Sequence, residues 1–242
     1  MRNYEQETTD RAMFIRNALS EARADGIVFG NSGGKDSALV GILCKMACED
    51  TLGIIMPCES TQNYAADKSD AETLAAQFSI ETRTVDLTAT KKSLTDALCG
   101  QAQITDAARA NIAPRLRMAT LYAVAASEGR LVVGTGNRSE GYMGYFTKWG
   151  DGAFDINPIA DLTVTEIYEF LRFLNAPEQI IEKAPSAGLF EGQTDEREMG
   201  ISYRSIDEYL LCGTTNPRDM IVIDRYHRAS NHKRTLPKTF SH

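Results

Sequence analysis

The sequence has no apolar run long enough to span a bilayer, and its opening stretch, MRNYEQETTD, is polar with no apolar core of signal-peptide length. A cytoplasmic protein with no membrane partner is expected. It has no Cys-x-x-Cys pair: Cys44, Cys48, Cys58, Cys99 and Cys212 make an odd number, which argues against a disulfide framework and a zinc site and fits reduced thiols. Cys44 and Cys48, one helical turn apart, read as buried packing residues. Positive charge is also scarce. With 26 Lys and Arg against 33 Asp and Glu, no global basic field is available to hold a polyanion, so a nucleic-acid partner is not expected, although a local basic pocket can still take a small anion. Internal repeats and low-complexity tracts are absent. What is present is a 242-residue chain, 43% hydrophobic, enough for one substantial core, and residues 1–242 read as a single domain.

Apolar residues at helical spacing (Ala12, Ile15, Leu19, Ala22) predict a helix over 9–25, ahead of a short apolar strand, GIVFG, at 26–30. A helix over 36–47 turns Leu39, Ile42, Leu43 and Met46 inward and leads to a second strand at 52–56, which Pro57 closes. A third helix at 64–78, an alternating strand at 80–87, a long helical stretch before Gly129 with Pro114 at a helix start, and the string LVVGTG at 131–136 continue the pattern. Short apolar strands alternating with helices imply an α/β fold: a parallel β-sheet flanked by helices on both faces, with right-handed crossovers. Such sheets bind ligands at the C-terminal ends of their strands. Two of those ends, after Gly30 and after Val133, open into segments rich in glycine and charge. The segments 140–161 and 184–200 read mostly as loop, a length that in a compact domain goes with function or disorder.

After the first strand the chain reads NSGGKDS and enters a helix. Paired glycines let successive N–H groups aim at one point, and the helix N-terminus behind them adds a positive dipole, so that point favours a phosphate. It is not a Walker A loop, because Asp36 follows Gly34-Lys35 where Ser or Thr would ligate magnesium, and position 29 is Phe. Ser-Gly-Gly-x-Asp-Ser after a strand instead resembles the pyrophosphatase loop of the N-type ATP enzymes, which cut ATP between its α- and β-phosphates. That chemistry needs donors for the departing pyrophosphate, here backbone amides with Ser32, Ser37 and Lys35, and a carboxylate for Mg²⁺, here Asp36. The plainer reading is a turn with Asp36 as helix cap.

The second segment, GTGNRSE followed by GYFTKWGDGAFDINPIADLT, fails as a dinucleotide fingerprint because Ser139 stands at the third glycine position. Together with APSAGLFEGQTDEREMGISY and the terminal HKRTLP, it closely resembles the ammonia-dependent NAD synthetases, from about Gly26 to the C-terminus. The resemblance implies a Rossmann-like ATP pyrophosphatase domain of the adenine nucleotide alpha-hydrolase type, a homodimer with deamido-NAD bound across the subunit interface, and ATP and ammonia as the other substrates. By matching, residues Ser32, Gly33, Gly34, Lys35, Asp36 and Ser37 hold the ATP phosphates, and Asp36 and Glu140 ligate Mg²⁺. Thr135 and Ser186 contact ATP, and Met56 borders the adenine. Arg115, Lys148, Asp155, His232 and Lys233 match positions for deamido-NAD.

Each matched residue also has an ordinary competitor. Glu140, Arg115 and Lys148 fit solvated surface charges, and His232 and Lys233 lie in a basic cluster with Arg225, His227, Arg228 and Arg234 that also fits a solvated helix end. One position departs from the family: its lysine two residues after the Leu of an LT-K segment is Val164 here. Either Lys35, Lys183 or a neighbour supplies the charge, or ATP binding is weakened or the activity altered.

The reaction implied is attack of the nicotinate carboxylate on the α-phosphorus of ATP, then of ammonia on the acyl-adenylate, with Lys35, Asp36 and Asp155 as the catalytic candidates. Asp155 is expected to orient the pyridine end or the ammonia. The glutamine-hydrolysing domain of relatives is not indicated, although a separate glutaminase subunit remains open. Other adenylating enzymes of the superfamily, and a nucleotide-binding protein without catalysis, are the alternatives.

Overall fold

The computed structural model describes residues 2–58, 64–183 and 195–240. In chain order the first half runs α1 (Tyr4–Ala22), β1 (Gly26–Gly30), α2 (Lys35–Ala47), β2 (Thr51–Ile55), α3 (Tyr64–Phe78), β3 (Glu81–Thr84), α4 (Thr88–Leu98), α5 (Asp106–Ala110), α6 (Ile112–Glu128) and β4 (Arg130–Val133). The second half is helical: α7 (Arg138–Met143), α8 (Val164–Phe173), α9 (Glu178–Glu182), α10 (Asp195–Met199), α11 (Tyr203–Cys212), α12 (Pro217–Ala229) and α13 (Asn231–Arg234).

The four strands form one parallel sheet in the order β3-β2-β1-β4, with Ile27 opposite Thr51 and Leu131 on its two sides. Side chains alternate across it. Ile27 and Phe29 join Ile15, Leu39, Ile42, Leu43 and Phe170 in one core, whereas Val28, Leu52, Ile54 and Val132 pack with Ala113, Ala125 and Leu121 of α6 in another. The sheet is therefore covered on both faces, as the continuous apolar strands predict. The chain steps one way from β1 to β2 and β3, then returns to the other side of β1 with β4. That reversal makes a crevice beyond the C-terminal ends of β1 and β4, the place where open α/β sheets hold ligands.

Helix boundaries differ from the sequence reading where caps intervene. The helix expected over 9–25 starts at Tyr4 because Asn3 accepts a hydrogen bond from the Gln6 amide at 3.2 Å, and it stops at Arg23, which turns left-handed (φ 52). The long helical stretch before Gly129 is three helices, interrupted at Gly100 (φ 76) and restarted by the Thr105 cap. Pro114 is the third residue of α6, within its first turn. The segment 140–161 begins as helix through Met143 and is otherwise turns and irregular chain, apart from an isolated parallel bridge between Ile156 and Val133; in 184–200, Asp195–Met199 is helical and 184–194 lie outside the described residues. Cys44 is buried as expected, whereas Cys48 is half-buried. Among the described residues, no helix is long and apolar enough to cross a membrane.

Candidate functional site

The loop after β1 is braced from beneath. Asn31, almost fully buried, donates from Nδ2 to the Ala71 carbonyl at 3.1 Å, and its Oδ1 accepts from the Gly33 amide at 3.4 Å. Gly33 adopts φ +74, and a Cβ there would lie 2.2 Å from the Asp67 carbonyl oxygen, so backbone conformation and space both demand glycine. Ser32 Oγ lies 3.0 Å from Ser37 Oγ and accepts from the Gly34 amide at 3.3 Å, while Ser37 also donates to the Gly34 carbonyl at 3.0 Å. Gly34 is the N-cap of α2, so Asp36 is the second helical residue, not the cap. Ser32 through Ser37 thus form one turn opening onto a helix N-terminus, a geometry suited to an anion.

Across the crevice, α7 is set by a reciprocal capping box: Asn137 Oδ1 accepts from the Glu140 amide at 2.9 Å, and Glu140 Oε2 accepts from the Asn137 amide at 3.4 Å. Asn137 also reaches back to the first loop, donating from Nδ2 to Asp36 Oδ1 at 3.1 Å. Asp36 and Glu140, 104 positions apart in sequence, meet one cation: Lys35 Nζ is 2.7 Å from Asp36 Oδ2 and 3.8 Å from Glu140 Oε1. The same ammonium lies 5.7 Å from the centroid of the Tyr203 ring. Burial, then the charge of Asp36, pushes the Glu140 carboxyl up to about 8 against the opposing pull of Lys35. Burial works against the Lys35 ammonium, but Asp36 and Glu140 outweigh it and keep it protonated.

These residues fit a divalent cation. Two carboxylates from separate loops converge, burial and the charge of Asp36 disfavour the ionised form of Glu140, and a lysine ammonium already lies against the pair. No cluster of three or more His, Cys, Asp or Glu forms among the described residues. Two protein carboxylates, with substrate phosphates and water completing the shell, suit Mg²⁺ better than a cation that needs a full protein cage.

The remaining residues matched to ATP are placed unevenly. Thr135 lies half-buried in the turn between β4 and α7, and Met56 follows β2, buried, with its carbonyl accepting from Arg117 Nε at 3.1 Å. Ser186 lies outside the described residues. Val164 opens α8 and is buried in the apolar cluster that includes Tyr203 and Met143. Lys183, one of the residues considered to supply the charge missing at Val164, is engaged elsewhere, with Nζ 2.6 Å from Asp67 and 2.6 Å from Asp70 of α3.

A second group gathers the residues matched to deamido-NAD. Arg115 donates to the Lys148 carbonyl at 3.3 Å, Lys148 Nζ donates to the His232 carbonyl at 2.6 Å, and Lys233 Nζ donates to the carbonyls of Gly144 and Phe146 at 2.7 and 2.6 Å. Burial, then the like charges of Arg234 and Arg115, lowers the Lys233 ammonium despite the opposing pull of Asp151. Part of the surrounding basic cluster caps a helix: Arg234 donates to the Gly141 and Tyr142 carbonyls, and the His227 ring stacks on Tyr142 with centroids 3.9 Å apart. Asp155 lies apart from the basic group. Its Oδ2 accepts from the Val132 amide on the edge of β4 at 2.8 Å, and its Oδ1 accepts from the Tyr122 hydroxyl at 3.1 Å. Tyr122 stands seven residues beyond Arg115 on α6, so the two share one helix face.

The sequence reading did not single out Asn137, Asn31, Arg117 or Tyr203. Asn137 had a visible signal, the Asn-x-x-Glu of a capping box directly after a strand. Asn31 stands within the NSGGKDS string itself, whereas Arg117 and Tyr203 reach the site from distant elements, which no local pattern reports.

The family model described as NAD synthase matches residues 7–237. The chain is 46% identical over 239 residues, 98% of its own length and 97% of the other's, to the NH(3)-dependent NAD(+) synthetase of Carboxydothermus hydrogenoformans. Its fold is similar to NMN synthetase from Francisella tularensis (34% identity, TM-score 0.94) and to NH3-dependent NAD synthetase from Campylobacter jejuni (30% identity, TM-score 0.80), each covering both chains completely. The parallel sheet, the loop at its switch point and nearly full-length identity converge, and the chain belongs to the NAD synthase family.

Proposed function

We infer that the chain is an ammonia-dependent NAD synthetase, a ligase that uses ATP and ammonia to amidate deamido-NAD to NAD, releasing AMP and pyrophosphate. The observation that carries the reading is the meeting of Asp36 and Glu140 from two neighbouring strand ends, directly beside a phosphate-shaped turn. The nicotinate carboxylate has no leaving group. Its oxygen attacks the α-phosphorus, the bond to the bridging oxygen breaks toward pyrophosphate, and ammonia then displaces AMP from the acyl-adenylate. The amides of 32–37 with Ser32, Ser37 and Lys35 receive the charge growing on pyrophosphate. Asp36 and Glu140 would hold Mg²⁺, which when bound neutralises phosphate charge.

Thr135, Met56 and Ser186 complete the ATP side. Arg115, Lys148, His232 and Lys233 give the dinucleotide's phosphates a basic lining in an otherwise acidic protein. Asp155, held between Val132 and Tyr122, positions the pyridine end or the ammonia. The chain acts as a single domain in the cytoplasm, as a homodimer with the deamido-NAD site at the subunit interface. Incubation with ATP, Mg²⁺, ammonium and deamido-NAD is expected to yield NAD, AMP and pyrophosphate in equal amounts. ADP and orthophosphate would refute the reading.

A second reading keeps the chemistry and shortens the acid. The Francisella NMN synthetase superimposes at TM-score 0.94 against 0.80 for the Campylobacter enzyme, which favours nicotinate mononucleotide as an alternative acceptor. Parallel assays with the two acids decide by the ratio of kcat/KM.

A further inference from the structure

We propose that Lys35 is an exchangeable counter-cation: its ammonium keeps the place between Asp36 and Glu140 in the nucleotide-free protein, yields it to the divalent ion, and moves onto the triphosphate. The proposal rests on the reading of Asp36 and Glu140 as the metal pair.

Lys35 is the first residue of α2, where the helix dipole opposes a cation. It is also only 7% exposed. A buried ammonium at a helix N-terminus needs specific compensation, and the structure supplies it in Asp36 Oδ2 at 2.7 Å, Glu140 Oε1 at 3.8 Å and the Tyr203 ring at 5.7 Å. The arrangement solves a problem that such a pair of carboxylates poses on its own. Two carboxylates drawn together for a metal repel each other without it, and the lysine supplies the missing positive charge.

The same oxygens cannot serve both cations. An ammonium within hydrogen-bond distance of Asp36 would lie only a few ångströms from a divalent ion on that carboxylate, and in a buried site such repulsion is poorly screened. Lys35 has a side chain long enough to reach another partner. Its Cα follows Gly34 at the rim of the anion-shaped turn, and its flexible four-carbon stem can carry the charge from the carboxylates to the mouth of that turn. The metal on its own must therefore displace the lysine with nothing to receive it, whereas metal arriving with ATP brings phosphates that do.

The test is Mn²⁺ binding by the full chain, read from the paramagnetic resonance of free Mn²⁺, with and without α,β-methylene-ATP. Without nucleotide, Lys35→Met is expected to bind Mn²⁺ on the order of tenfold more tightly than wild type, because its carboxylates are no longer neutralised. With the analogue present that advantage is expected to disappear, the wild-type lysine having moved to the phosphates. Equal affinities without nucleotide overturn the exchange. Mn²⁺ binding unaffected by Asp36→Asn overturns the metal assignment itself, a separate outcome. Should Lys35→Met fail to fold, amine acetylation of wild type mapped by mass spectrometry decides: Lys35 is expected to be protected in the free protein and reactive at saturating Mn²⁺. Protection that persists with Mn²⁺ bound overturns the proposal.

Discussion

Gly33→Ala tests whether the phosphate turn takes its shape from the helix beneath it. The added methyl meets two obstacles. At φ +74 an L-residue pays the left-handed penalty, about 1–2 kcal/mol. The Cβ would also stand 2.2 Å from the Asp67 carbonyl oxygen and 3.2 Å from the Ala71 amide nitrogen. Both are backbone atoms, so neither can rotate away, and either the loop lifts or the first turns of α3 shift, an overpacking cost of about 1–3 kcal/mol. Together these come to about 2–5 kcal/mol, which for a chain of this size lowers the thermal midpoint by roughly 4–20 °C. Gly34→Ala is the internal control, because its φ is −90 and its Cβ would meet only Ser32 Oγ at 3.3 Å. Thermal unfolding of both variants, with ATP-dependent pyrophosphate release measured alongside, is expected to show a large loss of stability and turnover for Gly33→Ala. For Gly34→Ala only a small loss of stability is expected. Equal midpoints for Gly33→Ala and wild type would refute the claim that α3 dictates the turn.

Asp207, buried, accepts from Ser139 Oγ at 2.5 Å and from the Thr165 amide and hydroxyl at 2.7 and 2.6 Å. Asp207→Ala strands those donors and is expected to cost about 3 kcal/mol or more in urea unfolding; a loss below about 1 kcal/mol contradicts that role. Asp161 faces Arg11 and Arg2, and although burial raises its carboxyl, their hydrogen bonds and charge win and hold it below 3.8. Its folded value being depressed, the stabilisation is present above about pH 4 and lost as pH falls through that value. The gap in thermal midpoint between wild type and Asp161→Asn should therefore close on acidification, and a gap constant from pH 7 to 3 excludes this linkage. Asp155→Asn keeps an acceptor for the Val132 amide, so stability is expected to change by less than about 1 kcal/mol. Turnover should fall on the order of tenfold or more, and unchanged turnover removes Asp155 from the reaction.

The sheet was legible because Ile27 to Phe29, Leu52 to Ile55 and Leu131 to Val133 are apolar runs whose burial requires cover on both faces. The turn at 32–37 was legible for a different reason: glycines and small hydroxyls at fixed spacing report backbone shape directly. Where helix boundaries differ from the reading, a capping side chain or a glycine's backbone conformation decided. Asn3 carries α1 back to Tyr4 and Gly100 divides the long helical stretch, while Gly34 holds the cap of α2 and so sets aside the plainer reading of Asp36 as a cap. The pairing of Arg115 with Lys148 and of Lys148 with His232 depends on a tertiary approach over 33 and 84 positions. No periodicity encodes such distances, and for those residues only the resemblance had anything to say.

Val164 shows why a missing charge cannot be judged at its own position. Its side chain is buried at the start of α8, in a cluster with Met143, Met199, Ile201 and Tyr203, and a lysine there would have to bring its ammonium through apolar surroundings. Lys183 does not fill the gap, because both of its short ion pairs go to α3. Lys35 is better placed: it reaches the same cluster from the loop after β1, with its ammonium over the Tyr203 ring. If that charge serves the triphosphate from the loop instead of from α8, then Lys35→Met should raise the KM for ATP, whereas Lys183→Met should chiefly loosen α3. Reversed effects in steady-state kinetics and thermal unfolding would place the charge on Lys183 instead.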